Sequence, residues 1–250
     1  MLSSLPFLAC ALLARSGLGS LCDPGYAEAL ARAQAEGRAW HYESAIASYH
    51  LALERDPAGF HALLGLAEAW NGEGDARGAA AAEEAFHRSL GHAQCLDEAC
   101  PARPEGPAVA ATSYGYLTVR ASPGEKLGLS RAIAAESRRA LLRDPAHAPA
   151  LVTLGIYERE LATLGFFARL AARAMLGGLE ETSLAESERL LRRALEVDPA
   201  SLLARYELAL TLLAAEKKRE GAEELRRVLE TLPASPADVS RQLDAAARLR

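Results

Sequence analysis

Three stretches of this chain end alike: Leu53-Glu54-Arg55-Asp56-Pro57, Leu142-Arg143-Asp144-Pro145 and Leu195-Glu196-Val197-Asp198-Pro199 all run into Asp-Pro, and Pro233 closes a fourth after Leu232. Proline cannot continue a helix and pre-sets the turn into whatever follows. Pro233 lies 34 residues after Pro199, Pro199 lies 54 after Pro145, and Pro145 lies 88 after Pro57. These intervals are one unit of 34, one such unit plus about twenty, and two plus about twenty. A chain punctuated this regularly is expected to fold as a row of similar helical units, each burying its apolar face against its neighbours.

A period of 34 residues is that of the tetratricopeptide repeat, a helix–turn–helix unit. Composition agrees: 54 alanines with abundant leucine and few β-branched residues favour helix throughout. The expected fold is all-α, a tetratricopeptide-like α-solenoid of about five helix pairs over residues 21–250. It carries two insertions, near 93–113 and 162–181, and a C-terminal capping helix. Small residues fall where paired helices must approach and larger ones fall in the seams: Ala33, Ala45, Tyr49 and Ala52 in repeat one, Leu63, Leu66, Ala67 and Trp70 in repeat two. Asn71-Gly72 reads as the stop of that helix. In repeat three a short first helix over 109–121 is interrupted at Gly115, and a longer second one spans 127–143. Repeat four places Leu151, Leu154 and Gly155 opposite Leu191 and Ala194. Repeat five places Leu208, Ala209 and Leu212 opposite Gly221, Leu225 and Val228. Ser235-Pro236-Ala237-Asp238 opens the cap, with Pro at the first helical position.

Residues 5–14 form an apolar run of ten, too short to span a bilayer. Ser16, Gly17, Gly19 and Ser20 follow it and suit a signal-peptidase site, so residues 1–20 are expected to be a signal peptide and the chain periplasmic or secreted. A lipoprotein anchored through Cys10 is the lesser reading, because too few apolar residues precede that cysteine. Cys95 and Cys100 bracket Leu-Asp-Glu-Ala and are expected to close a small disulfide loop in an oxidising compartment, leaving Cys22 odd.

A narrower resemblance covers roughly residues 115–250. The run from Leu154-Gly155-Ile156-Tyr157 through Leu164-Gly165-Phe166-Phe167-Ala168-Arg169-Leu170, Leu176-Gly177-Gly178-Leu179 and Ser183-Leu184-Ala185-Glu186 resembles the tetratricopeptide domain of the regulator of microtubule dynamics family and its exported bacterial relatives. Tyr206-Glu207-Leu208, Lys217-Lys218 and Leu232-Pro233 ahead of Asp238 match as well. Tyr157 stands where that family tends to have Trp, and Glu181 where a Pro is common. The resemblance implies the fold; the eukaryotic members' association with microtubules and organelle membranes does not carry to an exported chain, which meets no tubulin.

No catalytic motif is present: the sequence has no Gly-x-Ser-x-Gly, phosphate loop or His-Glu-x-x-His. The six histidines are scattered, and His87 and His92 are five apart rather than the four that stacks ligands on one helix face. No metal and no cofactor are expected, and the chain reads as a non-enzymatic scaffold. The net charge of −5 gives no footprint for nucleic acid. Two surfaces are candidates for a partner. One is the groove lined by the first helices of the repeats, where the register places Gln34, Arg38, Glu68, Asn71, Arg159 and Tyr206 to meet a protein or peptide. The other is the insertion at 164–179, where Phe166, Phe167 and Leu170 are bulky and apolar and Arg169 and Arg173 share one face. That segment suits a membrane surface or a partner's groove.

Overall fold

The computed structural model describes residues 23–76, 79–164 and 182–250. Among them there are eleven α-helices and no strand. The chain divides into two compact units, Met1–Arg120 and Ala121–Arg250. The first holds α1 (Pro24–Arg38), α2 (Tyr42–Arg55), α3 (Phe60–Ala76), α4 (Ala79–Ala99) and α5 (Glu105–Arg120). The second holds α6 (Pro123–Arg143), α7 (Ala148–Ala162), α8 (Leu184–Val197), α9 (Leu202–Ala214), α10 (Lys218–Glu230) and α11 (Pro236–Arg248). Within each unit every helix packs on the next in sequence. The odd-numbered helices also touch one another: α1 with α3, α3 with α5, α7 with α9, α9 with α11. Such a two-layer arrangement of first and second helices is that of tetratricopeptide repeats.

The Asp-Pro sites work as hinges. Asp56, Asp144 and Asp198 each cap the C-terminus of α2, α6 or α8 in an extended conformation, as a following proline demands. Each carboxylate then accepts the N–H two residues on, from Ala58 at 3.2 Å, Ala146 at 2.9 Å and Ala200 at 3.1 Å. The carbonyls of the same aspartates accept N–H groups from Gly59, His147 and Ser201, just ahead of the next helix. One residue thus ends a helix and aims the next. Ser235 caps α11, accepting the Asp238 N–H at 3.2 Å with Pro236 in the first turn, as the sequence indicates.

In the first unit Tyr26, Leu30, Ala33, Ala45, Ile46, Tyr49, Ala52, Ala62, Leu66 and Ala69 form one core cluster, and Ala67, Ala93, Val109 and Ala110 form another. The second unit buries Leu151, Leu154, Leu190, Leu191, Leu208 and Leu212 together, with Leu202, Leu225, Val228 and Ala245 beyond them. Two buried hydroxyl links recur between the repeats. Ser89 of α4 donates to the Ala67 carbonyl of α3 at 2.7 Å and meets Ser113 of α5 at 2.9 Å. Ser187 of α8 donates to the Gly155 carbonyl of α7 at 2.7 Å and meets Thr211 of α9 at 2.9 Å. Ser113 and Thr211 also donate to carbonyls one turn back in their own helices.

Four expectations need correction. Asn71-Gly72 does not stop α3, which runs to Ala76. Gly72 is there for close approach, since a β-carbon on it would lie 2.5 Å from the Tyr42 ring. Residues 93–113 are not an insertion but the end of α4 and the start of α5. The latter helix begins at Glu105 and passes through Gly115 unbroken. Finally, Cys95 and Cys100 are thiols and not a disulfide. Because α4 continues to Ala99, the two lie five residues apart on a helical path, which separates them axially by about 7.5 Å and points them to different sides. A disulfide needs α-carbons within about 7 Å and facing β-carbons.

Close packing makes two glycine substitutions opposite in sign. A β-carbon on Gly65 would lie 2.3 Å from the Tyr49 ring, whereas one on Gly91 in α4 meets nothing within 4 Å. Gly65→Ala is expected to destabilise by about 1–3 kcal/mol, and Gly91→Ala to stabilise by about 0.5–1 kcal/mol. Urea unfolding followed by circular dichroism measures both; equal effects of the two changes would refute the packing at Tyr49.

Candidate functional site

Packing of the second helices leaves one side of each first helix uncovered. On α3 the uncovered positions His61, Glu68 and Asp75 recur every seven residues, so they form one stripe along the helix. On α1, Arg38 is exposed in the last turn and Gln34, one turn earlier, is half-buried. The Tyr49 ring rises from α2 against Gly65 and its phenol feels both neighbours. Burial first, then the charge of Glu68, raises its pKa, while Arg38 lowers it. Tyr49 is a buried core residue, and the exposed Arg38 of α1 and Glu68 of α3 both lie near enough to act on its phenol.

Glu68 is the most perturbed carboxyl of this surface. Its side chain is open to solvent, yet protein surrounds it densely enough that desolvation is the largest cause pushing its pKa up to about 7; the charge of Glu105 adds to this. At the same end of the stripe the Arg103 guanidinium lies 4.2 Å over the Phe60 ring and donates to Glu105 at 2.6 Å, while His61 meets Phe60 edge-on.

The other sequence candidates have different roles. Asn71 is buried, and its side-chain carbonyl accepts from Ser113 at 3.1 Å, extending the hydroxyl link of the first unit. Arg159 is 8% exposed. Its Nη1 donates to the Glu207 carboxylate at 2.5 Å and to the Glu207 carbonyl at 3.2 Å, and its Nη2 reaches Glu160 at 3.0 Å. It ties α7 to α9 and is not available to a partner. Half-buried Tyr206 donates to Asp244 of α11 at 2.7 Å, and Arg248 binds the same carboxylate oxygen. Burial and that acceptor push the Tyr206 pKa up to about 12. Asn71, Arg159 and Tyr206 are thus internal fasteners. Phe166, Phe167, Leu170, Arg169 and Arg173 lie outside the described residues. Among the described residues no group of His, Cys, Asp and Glu is placed to hold a metal, and no helix is long and apolar enough to cross a membrane. His92 meets His50 edge-to-face at 6.1 Å, and burial, then the charges of His50 and Arg88, lower its pKa to about 4.

Comparison with known proteins places this geometry. The family model of regulator of microtubule dynamics proteins 1–3 matches residues 29–250. The chain belongs to the regulator of microtubule dynamics family. No curated protein matches it in sequence. Among solved structures, TTC0263, described as a thermophilic tetratricopeptide-repeat protein of Thermus thermophilus, superposes with a TM-score of 0.66 at 19% identity, over 90% of this chain and 98% of that one. It confirms the fold of this family member. MamA of Desulfovibrio magneticus RS-1 aligns at 14% identity over 83% of this chain and 94% of its own, with a TM-score of 0.42. YrrB, described as a tetratricopeptide-repeat protein with an unusual peptide-binding site, aligns at 17% identity over 86% and 88%, with a TM-score of 0.39.

Two predictions follow from these environments. Removing Arg159 strands the Glu207 carboxylate, so Arg159→Ala is expected to cost about 3–5 kcal/mol, while Arg159→Met with Glu207→Leu restores much of it; denaturant melts of the two variants decide. For pH, Glu68 takes up a proton more readily folded than unfolded, so it withdraws stability as pH rises from its ordinary 4.5 to about 7. His92 does the reverse, withdrawing stability as pH falls from 6.5 to about 4. Glu68→Gln should therefore make stability climb more steeply with pH between 4.5 and 6.5, and His92→Gln less steeply. Unchanged slopes in both variants would contradict these environments.

Proposed function

We propose that this protein is a non-enzymatic tetratricopeptide scaffold, exported to the bacterial envelope, that holds a protein or peptide segment along the uncovered sides of its first helices. The observation that carries this reading is the patch on α1–α3. There the fold has buried its apolar side chains, Tyr49 among them, yet it leaves Arg38 and Glu68 exposed around that ring, with Gln34 half-buried one turn before Arg38. Side chains fixed by packed helices present their charges to a partner at little further entropic cost. The envelope location rests on the apolar run and small residues of positions 1–20.

Site-directed photo-crosslinking in the native host tests the surface. A photoreactive phenylalanine at Gln34 is expected to give a discrete adduct that is absent when it stands at Glu83, exposed on α4. Identical adducts from both positions, or none from Gln34, would reject the assignment. The intact mass of the envelope-fraction protein tests export: loss of about twenty N-terminal residues is expected, and a full-length cytosolic species contradicts it.

A further inference from the structure

Within the second unit the repeat register carries one step past α9. Pro233 follows Pro199 by 34 residues, and the same step takes Arg205, Ala209 and Leu213 of α9 to Val239, Leu243 and Ala247 of α11. On α9 those three positions face α10. Arg205 pairs with Glu224 at 3.0 Å, and a β-carbon on Gly221 would lie 3.2 Å from the Ala209 carbonyl and 2.8 Å from the Leu213 side chain. On α11 the same three positions are uncovered: Leu243 is 69% exposed, and Val239 and Ala247 are exposed as well. Spaced by four, they form an apolar stripe along the helix. Leu229 at the end of α10 and Leu232 just beyond it are exposed too. Gln242 donates to the Val228 and Thr231 carbonyls at 3.0 and 2.7 Å, which holds that end of α10 against the middle of α11. Four of the nine exposed Leu, Val and Trp side chains among the described residues thus fall between 229 and 243. Apolar side chains gathered in this way mark a surface that a partner covers.

The side chains decide what covers it. Where α9 meets α10, Ala209 stands against Gly221, and two small residues let the backbones approach closely. Leu243 takes the place of Ala209, so a helix seated as α10 is on α9 would meet a branched side chain where a small one is required. A partner helix must stand further off and be apolar at the same spacing, and α11 itself meets both conditions. Laid antiparallel on a second copy about a two-fold axis at Leu243, it sets bulky Val239 of each copy over small Ala247 of the other. The two Leu243 side chains meet at the axis. The same two-fold turns Arg250 of one copy toward the α10 end of the other, where exposed Glu230 lies; neither has an ion pair among the described residues.

We propose that α11, with Leu229 and Leu232 beside it, is a self-association surface through which two copies of this protein join antiparallel at Leu243. Both copies use the same patch, so the contact closes at a dimer and does not propagate.

Sedimentation velocity of the full-length chain across the micromolar range tests this surface. The mass is expected to rise with concentration from that of one chain to that of two, and no further. Leu243→Glu sets two carboxylates against each other at the axis and should weaken association at least about a hundredfold. Leu243→Lys should do the same with two ammonium groups. An equimolar mixture of these two variants should associate again, since the axis then joins opposite charges. Leu142→Glu, an equal change at an exposed leucine of α6, should alter association by no more than about twofold. Circular dichroism verifies that every variant folds. A wild-type chain that stays monomeric throughout overturns the surface, and so does association that Leu243→Glu leaves intact. If each Leu243 variant is monomeric and their mixture is monomeric too, the antiparallel meeting at Leu243 is overturned. Each of these results leaves the α1–α3 reading to be decided by the crosslink at Gln34.

Discussion

Each second helix that ends in Asp-Pro does so at one aspartate whose side chain and carbonyl both hold the turn that follows. At Asp56, Asp144 and Asp198 the proline forces extended backbone, the carboxylate captures the N–H two residues on, and the carbonyl accepts the N–H just ahead of the next helix. The direction in which the next helix leaves is therefore fixed locally, before any distant contact forms. The layer of first helices, and with it any surface they present, follows from that turn.

What the turns orient, buried polar links then lock. Ser89 and Ser187 bridge a first helix, a second helix and the first helix of the following repeat with a single hydroxyl. Arg159 and Glu207 do the same for α7 and α9 with a buried ion pair, and Tyr206 with Asp244 for α9 and α11. Hydroxyl links of this kind have one satisfactory register, since a slip would leave donors unpaired in a dry seam. The uncovered face of the first helices within each unit is thus preformed.

The sequence disclosed what is local. Asp-Pro spacing, the small residues Ala33, Ala45 and Ala52 and the Ser235–Asp238 cap are all legible because each acts within a turn or at a repeating offset. Asn71-Gly72 was not, because a helix stop and a site of close approach use the same residues, and only the position of Tyr42 some thirty residues earlier decides between them. Arg159 was expected on the surface because nothing near it in sequence announces a carboxylate partner 48 residues away. Cys95 and Cys100 suggested a loop because their spacing says nothing of whether the helix between them continues. Among the binding candidates, Gln34, Arg38 and Glu68 kept an accessible side because exposure on a first helix follows the repeat register. Asn71, Arg159 and Tyr206 are instead held by long-range polar contacts that the register does not encode.

The central claim is that turn geometry and buried links join neighbouring repeats of a unit into one rigid presenting surface. Native-state hydrogen exchange of the full-length chain, resolved by residue, tests it most directly. The account predicts that amides of α7, α8 and α9 open together, with one free energy and one denaturant dependence, and that Ser187→Ala lowers all three equally. Separate opening of α9 from the α7–α8 pair, with Ser187→Ala affecting α8 alone, would contradict it.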